Sequence, residues 1–442
     1  MAGIYLHIPF CRQACHYCNF HFSTTLKRKN DFTDALLKEI ALRAAYIDGE
    51  EVGTVYFGGG TPSLLEPEAL ARILDAIRKQ FSLSPAAEVT LEANPDDVGA
   101  AALRSWRNLG ITRLSLGVQS FYDADLRWMN RAHSAAQSLD AIRSAQDEGF
   151  GELSVDLIYG GPTLTDDRWR RNIEQALGLG VPHLSCYALT VEPRTALDHL
   201  IRQKKAQPVD PECQARQFLL LMDIMDGAGF EQYEISNFSL PGRRSRHNSS
   251  YWKGFPYLGL GPSAHSFNGT SRQWNIADNT KYIGSMESGL PIYEKEDLTI
   301  VQRLNEYIMI SLRTVEGCDL GWVAGQFGES AAEALAEKAG RYVDSGRMEW
   351  RGRLPARDED GLRGGAEWGS GVRSERVAGL RTSPETRMDK GFRSNENLKG
   401  DEGLKSKEGK WEAVRMTLTR EGKLLADGIA ADLFFDEAAL KG

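Results

Sequence analysis

The chain has few cysteines, no long apolar run and no excess of positive charge. Nothing in it approaches the roughly 18 consecutive apolar residues of a membrane span, so no transmembrane segment is expected. The first residues lack a basic stretch followed by an apolar core, so no secretory signal is expected and the cytoplasm is the expected compartment. A formal net charge of −8 gives no footprint for non-specific nucleic-acid binding, so no nucleic-acid partner is expected. The cysteines number six, and in a reducing compartment they are metal ligands or buried thiols rather than disulfides. Cys186, Cys213 and Cys318 stand apart from one another and read as small buried hydrophobes.

What is present is concentrated. Cys11, Cys15 and Cys18 fall within eight residues, spaced Cys-x3-Cys-x2-Cys, with Phe20 just after them. Three thiolates so spaced can wrap one inorganic centre, but they are one short of the four irons of a cubane cluster. A [4Fe–4S] cluster here keeps one iron open to another ligand. A Cys3His zinc site with His16 or His21 competes, as do ordinary thiols.

Short apolar runs at 4–8, 54–57, 88–92, 113–118, 153–158 and 183–189 read as strands. Helical patterns at 31–46, 67–81, 100–109, 135–148 and 165–179 separate them, with Gly110 and Gly149 as C-cap glycines. Six strands alternating with helices predict parallel β/α architecture, two units short of a closed barrel, with chemistry at the carboxyl ends of the strands. The cysteines, 58–61, Glu92, Gln119 and Asp156 all fall at or near such ends. Three consecutive glycines at 58–60 let a ligand approach the backbone, or simply make a tight turn. Glu92 can accept from a ligand amine or hydroxyl, and Arg131 can offer a fork to a carboxylate. Asp156 lies in so apolar a strand that a paired or functional role is favoured over an isolated charge.

Further on, 211–228 reads as a helix and 231–238 as a strand. His247, Tyr251 and Trp252 form an HNxxYW motif behind the basic cluster Arg243, Arg244 and Arg246. Such a set suits a flat aromatic ligand: an imidazole can ligate heme iron, and arginines can pair with its propionates. The alternative is a loop whose aromatics plug the barrel. The glycine-rich run 257–264 lacks the following helix of a dinucleotide site, and His265 beside it reads as a core histidine or a second iron ligand. Helices at 304–312, 331–343 and 422–433 and strands at 347–350 and 411–418 form a last unit. The polar stretch at about 352–410 reads as a disordered insertion between those strands.

Cys-x3-Cys-x2-Cys after an apolar strand resembles the signature of radical S-adenosylmethionine (SAM) proteins. The run from Tyr5 to Cys11 is similar to the oxygen-independent coproporphyrinogen III oxidase group. The oxidase carries a fourth cysteine where this chain has Phe20, and an extension before the cysteines. Both departures, with HNxxYW, make the chain resemble the sister family, the heme chaperones (HemW).

The resemblance implies a partial (β/α)6 radical SAM barrel at 1–235, an HNxxYW extension at 236–295, and a small helical, winged-helix-like domain at 296–442 without a basic recognition helix. It implies a [4Fe–4S] cluster on Cys11, Cys15 and Cys18. It also implies SAM contacts from Tyr5, Tyr17, Gly59, Gly60, Thr61, Glu92, Gln119, Arg131 and Asp156, with Ala188 near the adenine. Heme would be bound with His247 as hypothetical axial ligand and passed to an apo-hemoprotein such as a respiratory enzyme; a homodimer is a further expectation. The alternative activity is radical decarboxylation of coproporphyrinogen III to protoporphyrinogen IX, with SAM cleaved to methionine and a 5′-deoxyadenosyl radical. Phe20 argues against that substrate.

Overall fold

The computed structural model describes residues 1–47, 49–352, 411 and 413–436. Six parallel strands follow one another in sheet order: β1 (Ala2–Ile8), β2 (Val52–Gly59), β3 (Leu83–Ala93), β4 (Arg113–Gln119), β5 (Glu152–Tyr159) and β6 (His183–Ala188). Each strand alternates. Ile4, Leu6, Val55, Phe57, Leu91, Leu114, Val155 and Leu184 are buried in one hydrophobic core, packed with apolar faces of the intervening helices such as Leu70, Ile73 and Ile77 of Pro67–Gln80. Burying a Leu, Ile or Phe side chain contributes about 1.5–3 kcal/mol, which fixes the register of each strand.

The other face is polar. It carries Tyr5 and His7, Thr54 and Tyr56, Glu88 and Glu92, Arg113 and Ser115, Ser154 and Asp156, and His183 and Ser185. The register sets these residues side by side, with Thr54 opposite Glu88, Glu92 opposite Ser115, Gly117 opposite Asp156, and Asp156 opposite Ser185. The barrel interior is therefore a hydrogen-bonding surface.

The expected β/α units are present, and the helix boundaries agree closely, for example Ala100–Leu109 capped by Gly110 at φ +90°. Three features differ from the sequence reading. The 231–238 run is not one strand but two, β7 (Glu231–Gln232) and β8 (Asn237–Ser239), paired antiparallel. Between them the Glu234 carboxylate accepts from the Ser236 N–H and the Asn237 side chain, and that local bonding makes a turn. The glycine-rich run supplies a seventh parallel strand, β9 (Tyr257–Leu260), beside β1. It continues the sheet through β10 (His265–Phe267), β11 (Ser271–Asn275) and β12 (Tyr293–Asp297), so the 236–295 extension adds its strands to the barrel sheet. The helix expected at 422–433 is broken into Arg420–Lys423 and Ala426–Asp432.

A second hydrophobic core holds the C-terminal unit. Helix Ile300–Leu312, β13 (Cys318–Asp319), helices Leu320–Phe327 and Glu329–Asp344, then β14 (Met348–Arg351) and β15 (Arg415–Leu418) follow in the order of a winged helix. The insertion between β14 and β15 lies outside the described residues from 353 to 410. The unit docks against the β7–β8 turn and the helix Pro211–Gly227: the Val315 N–H donates to the Tyr233 carbonyl at 3.1 Å, and Arg420 donates to the Leu219 carbonyl at 2.7 Å. Among the described residues no helix is long and apolar enough to cross a membrane.

Candidate functional site

The loop that leaves β1 carries the three cysteines and is held from outside. Arg12 pairs with Asp97, Gln13 donates to the Asn130 side chain at 2.7 Å, and the Asn130 amide donates to the Ala14 carbonyl at 2.7 Å. Asn130 adopts φ +58°, a left-handed conformation that asparagine tolerates better than most residues. Cys11, Cys15 and Cys18 are free thiols, and all three line one cavity of about 970 Å³ at the carboxyl ends of the strands.

Two of the sulfurs accept hydrogen bonds from residues expected in the site. Thr61 Oγ1 donates to Cys11 Sγ at 3.5 Å, and Arg131 Nη1 donates to Cys15 Sγ at 3.4 Å. Among the described residues no three His, Cys, Asp or Glu side chains converge tightly enough to hold a single metal ion, the three cysteines included. His16 and His21 do not line the cavity. His16 Nδ1 bonds the Trp128 carbonyl at 2.8 Å, and His21 Nε2 bonds Asn279 at 2.7 Å. The donor set fits an iron–sulfur cluster better than Cys3His zinc.

Gly59 and Gly60 line the same cavity, and the glycine run has no room for side chains. A Cβ on Gly59 would stand 2.6 Å from His7 Nδ1, and one on Gly60 would stand 2.7 Å from the Phe10 carbonyl oxygen. Gly59 also has φ +106°, open to glycine at little cost.

Gln119 ends β4 at φ +67°, where the pairing to β5 shifts register after Gly117. A bulge of this kind re-aims a side chain at the end of a strand, and Gln119 lines the cavity. Arg131 Nη2 donates to the Gly117 carbonyl at 2.8 Å and to Asn94, so the fork predicted for a ligand carboxylate is largely committed within the protein. Its buried Nε has no hydrogen-bond partner among the described residues.

Tyr17, Ala188, Glu92 and Asp156 complete the wall. Burial pushes the Glu92 carboxyl up to about 7; the Tyr56 hydroxyl, donating at 2.7 Å, opposes the shift and the neighbouring Asp156 charge adds to it. Burial likewise pushes Asp156 up to about 6, against hydrogen bonds from Ser185 and Ser115. Both values lie above those of the unfolded chain, so the unfolded state ionises first as pH rises. The ligand-free protein therefore loses stability between about pH 4 and about pH 7, and this pair costs nothing further above that window. A ligand ammonium beside Glu92 reverses the shift. Binding of such a ligand, SAM included, is expected to release protons at pH 6–7 and few above about pH 8. Calorimetry in buffers of different ionisation enthalpy measures this, and Glu92→Gln should remove most of it.

Two expected residues lie elsewhere. Tyr5 is not in the cavity wall; it stacks on Tyr56 with ring centroids 6.1 Å apart, and its hydroxyl bonds His7 Nδ1 at 3.2 Å. His247 sits outside the cavity wall, beside Gly3 at the start of β1, with its ring stacked 4.8 Å from that of Tyr56, whose hydroxyl donates to Glu92. Five residues of strand separate Gly3 from Ile8, roughly 16 Å. The HNxxYW motif is not a loop but the helix Arg246–Trp252, whose first N–H groups donate to the buried Glu88 carboxylate at 3.1 and 2.9 Å.

His247 is 2% exposed. Its Nδ1 bonds Thr54 Oγ1 at 2.8 Å and its Nε2 bonds the Tyr251 hydroxyl at 2.9 Å. With both nitrogens hydrogen-bonded, and with burial pushing its pKa down to about 3, the imidazole is a neutral core group in the ligand-free chain, an arrangement that suits a plug of the barrel. His247→Ala is expected to cost about 2–4 kcal/mol by urea unfolding, from the void and two unpaired hydroxyls. It should leave the heme absorption spectrum unchanged. His265, also a candidate iron ligand, is exposed on the outer sheet with its ring 6.1 Å from that of Trp274.

Sequence reasoning missed Tyr56, which lies behind Glu92, and Asn94, which lines the cavity and bonds Thr61 and Arg131, and it missed the far wall. Alternation along β2 marks Tyr56 as inward-facing. No local signal marks the far wall, because Arg313 and residues 423–428 come from the C-terminal unit.

The Radical SAM superfamily profile matches residues 5–176. A protein named heme chaperone HemW from Mycobacterium tuberculosis (strain ATCC 25618 / H37Rv) is 38% identical over 340 residues, spanning 76% of this chain and 87% of that protein. Its namesake in Bacillus subtilis (strain 168) is 33% identical over 333 residues, 75% and 88% of the two chains. Among solved structures, the radical SAM enzyme coproporphyrinogen III oxidase (HemN) from Escherichia coli superposes with a TM-score of 0.73 at 20% identity. The superposition covers 98% of this chain and 90% of that one, and it shows a shared fold.

Proposed function

The chain belongs to the HemW family of the Radical SAM superfamily, and on that premise we propose that it binds heme and hands it to an acceptor apo-hemoprotein. In this reading Cys11, Cys15 and Cys18 hold a [4Fe–4S] cluster and SAM lies beside it. The observation that carries the reading is the single cavity shared by three free thiols and the side chains of Gln119, Glu92, Arg131 and Asp156. A cubane cluster supplies low-potential electron transfer, and an iron without a protein thiolate supplies an open coordination position.

The chain's own groups have separate tasks. Thr61 and Arg131 donate to two of the sulfurs and stabilise thiolate charge there. Gly59 and Gly60 bring backbone to the cavity where any side chain would collide. Glu92, kept partly protonated near neutrality, gains a full charge when an ammonium group arrives. Phe20 stands where the oxidase group has its fourth cysteine. It lines the cavity while 67% exposed, so that part of the wall offers an apolar surface and no ligand.

The test is anaerobic. Reconstituted protein with SAM and a reductant receives heme in one vessel and coproporphyrinogen III in another. A saturable Soret band, its transfer to an added apo-hemoprotein, and no protoporphyrinogen are the expected results. Turnover of coproporphyrinogen, or no heme binding, would overturn the proposal.

A further inference from the structure

The far wall of the cavity joins two separately cored parts of the molecule. Residues 423–428 and Arg313 come from the C-terminal unit, while Ile235, Phe218 and Tyr187 come from the barrel side. At about 970 Å³ the cavity lies at the top of the range of roughly 300–1,000 Å³ for a single ligand. The thiols, glycines and carboxylates occupy one side of it. The remainder offers exposed apolar surface: Phe20 is 67% exposed, Tyr187 42% and Leu425 47%.

On that wall Arg313 pairs with Asp427, and behind it Arg420 pairs with Asp223 and Arg351 with Glu349. Lys423 lines the cavity and makes no ion pair among the described residues; its ammonium donates to Gln232 Oε1 at 2.9 Å. Burial, then the positive charges of Arg351 and Arg420, push its pKa down, against the nearby Glu349 carboxylate. An amine so placed gains from any anion that reaches it. Arg313 adds a guanidinium lying over the Trp252 ring, 5.6 Å from its centroid.

We propose that the outer part of this cavity, between Phe20 and residues 423–428, is the seat of the cargo, a flat apolar tetrapyrrole whose carboxylates reach Lys423 and Arg313. The inference rests on the heme-chaperone reading and moves the cargo from the HNxxYW motif to the joint between the two cores. Both surfaces match that class of molecule: aromatic and aliphatic side chains for the ring, and a cation in excess for the propionates.

Heme titrations with the full reconstituted chain test it. Lys423→Met keeps length and removes charge, and it should weaken heme binding roughly ten- to hundredfold, as expected for a lost charged hydrogen bond. Lys423→Arg should retain most of the affinity. Heme dimethyl ester, which has no carboxylates, should bind wild type and Lys423→Met equally. Phe20→Ser should weaken heme and ester alike.

If wild type binds no heme, the chaperone reading fails and this inference falls with it. If wild type binds heme and Lys423→Met binds it equally well, the seat is elsewhere and only this inference fails. Equal weakening of heme and ester by Lys423→Met would assign the lysine to docking of the C-terminal unit and overturn its role as carboxylate anchor.

Discussion

Cys15→Ala protein, reconstituted under anaerobic conditions, is expected to hold almost no iron or labile sulfide, against about four irons per chain in wild type. Only Cys11 and Cys18 would remain as thiolate ligands, and neither His16 nor His21 lies in the cavity to substitute. The loss extends beyond one bond. Arg131 Nη1 gives up its sulfur acceptor at 3.4 Å, and its Nε already lacks a partner, so a buried cation becomes less well satisfied. The fold should persist, because Cys15 lies in a loop outside both hydrophobic cores. Unfolding of the apo-protein is expected to change by less than about 1 kcal/mol. Iron and sulfide analysis, with the visible charge-transfer band, decides the matter. A full iron complement in the variant would refute three-thiolate ligation.

Arg113→Met should give the largest loss of stability of any single change considered. Arg113 is 1% exposed inside the barrel. It donates to Ser154 at 2.7 Å and to Glu152 at 3.2 Å, and lies 3.8 Å from Glu88. Glu88 in turn accepts the Arg246 and His247 N–H groups. Removing the cation leaves the buried Glu88 carboxylate with its two N–H donors but no counter-charge, a change that typically costs about 3–5 kcal/mol. Denaturant unfolding should show that loss. Hydrogen exchange should show early opening of the Arg246 and His247 amides. Adding Glu88→Gln should restore part of the stability, because the unpaired charge is then gone. If Arg113→Met unfolds at the wild-type midpoint, the ion network is not what holds the plug helix.

These two experiments probe opposite ends of one barrel, and the two ends were unequally legible in the sequence. The carboxyl end was readable because its residues fall at strand ends. Cys11, Glu92 and Gln119 each follow or close an apolar run, Asp156 interrupts one near its end, and parallel packing brings such ends together. The barrel order was readable for the same reason: alternation in Ile4, Leu6 and Ile8, or in Val55 and Phe57, is a local signal. The polar half of that alternation was equally visible but harder to weigh. Thr54, Glu88, Arg113 and His183 look like strand ends facing water until the barrel closes over them.

His247 could not be placed from its motif. Its partner Thr54 is 193 residues away, and nothing local says that a helix of seven residues will enter the barrel base. Side-chain chemistry suggested an iron ligand, whereas the geometry gives both nitrogens to hydroxyls. Lys423 escaped for a related reason. In sequence it is one charge in a helix expected to run unbroken to 433, and its significance depends on a wall assembled from two cores.

That shared wall has a consequence for how the molecule responds to occupancy. A ligand touching only the barrel would stabilise the barrel. A ligand that spans Phe20 and residues 423–428 must also resist separation of the C-terminal unit, so its free energy of binding appears as cohesion between the two cores. By mass action that cohesion is about 2.7 kcal/mol when free ligand is a hundred times its dissociation constant. Cargo delivery then needs no unfolding of either core. An acceptor that binds the C-terminal unit more tightly when it is undocked would loosen the wall and lower the affinity for cargo by the same factor.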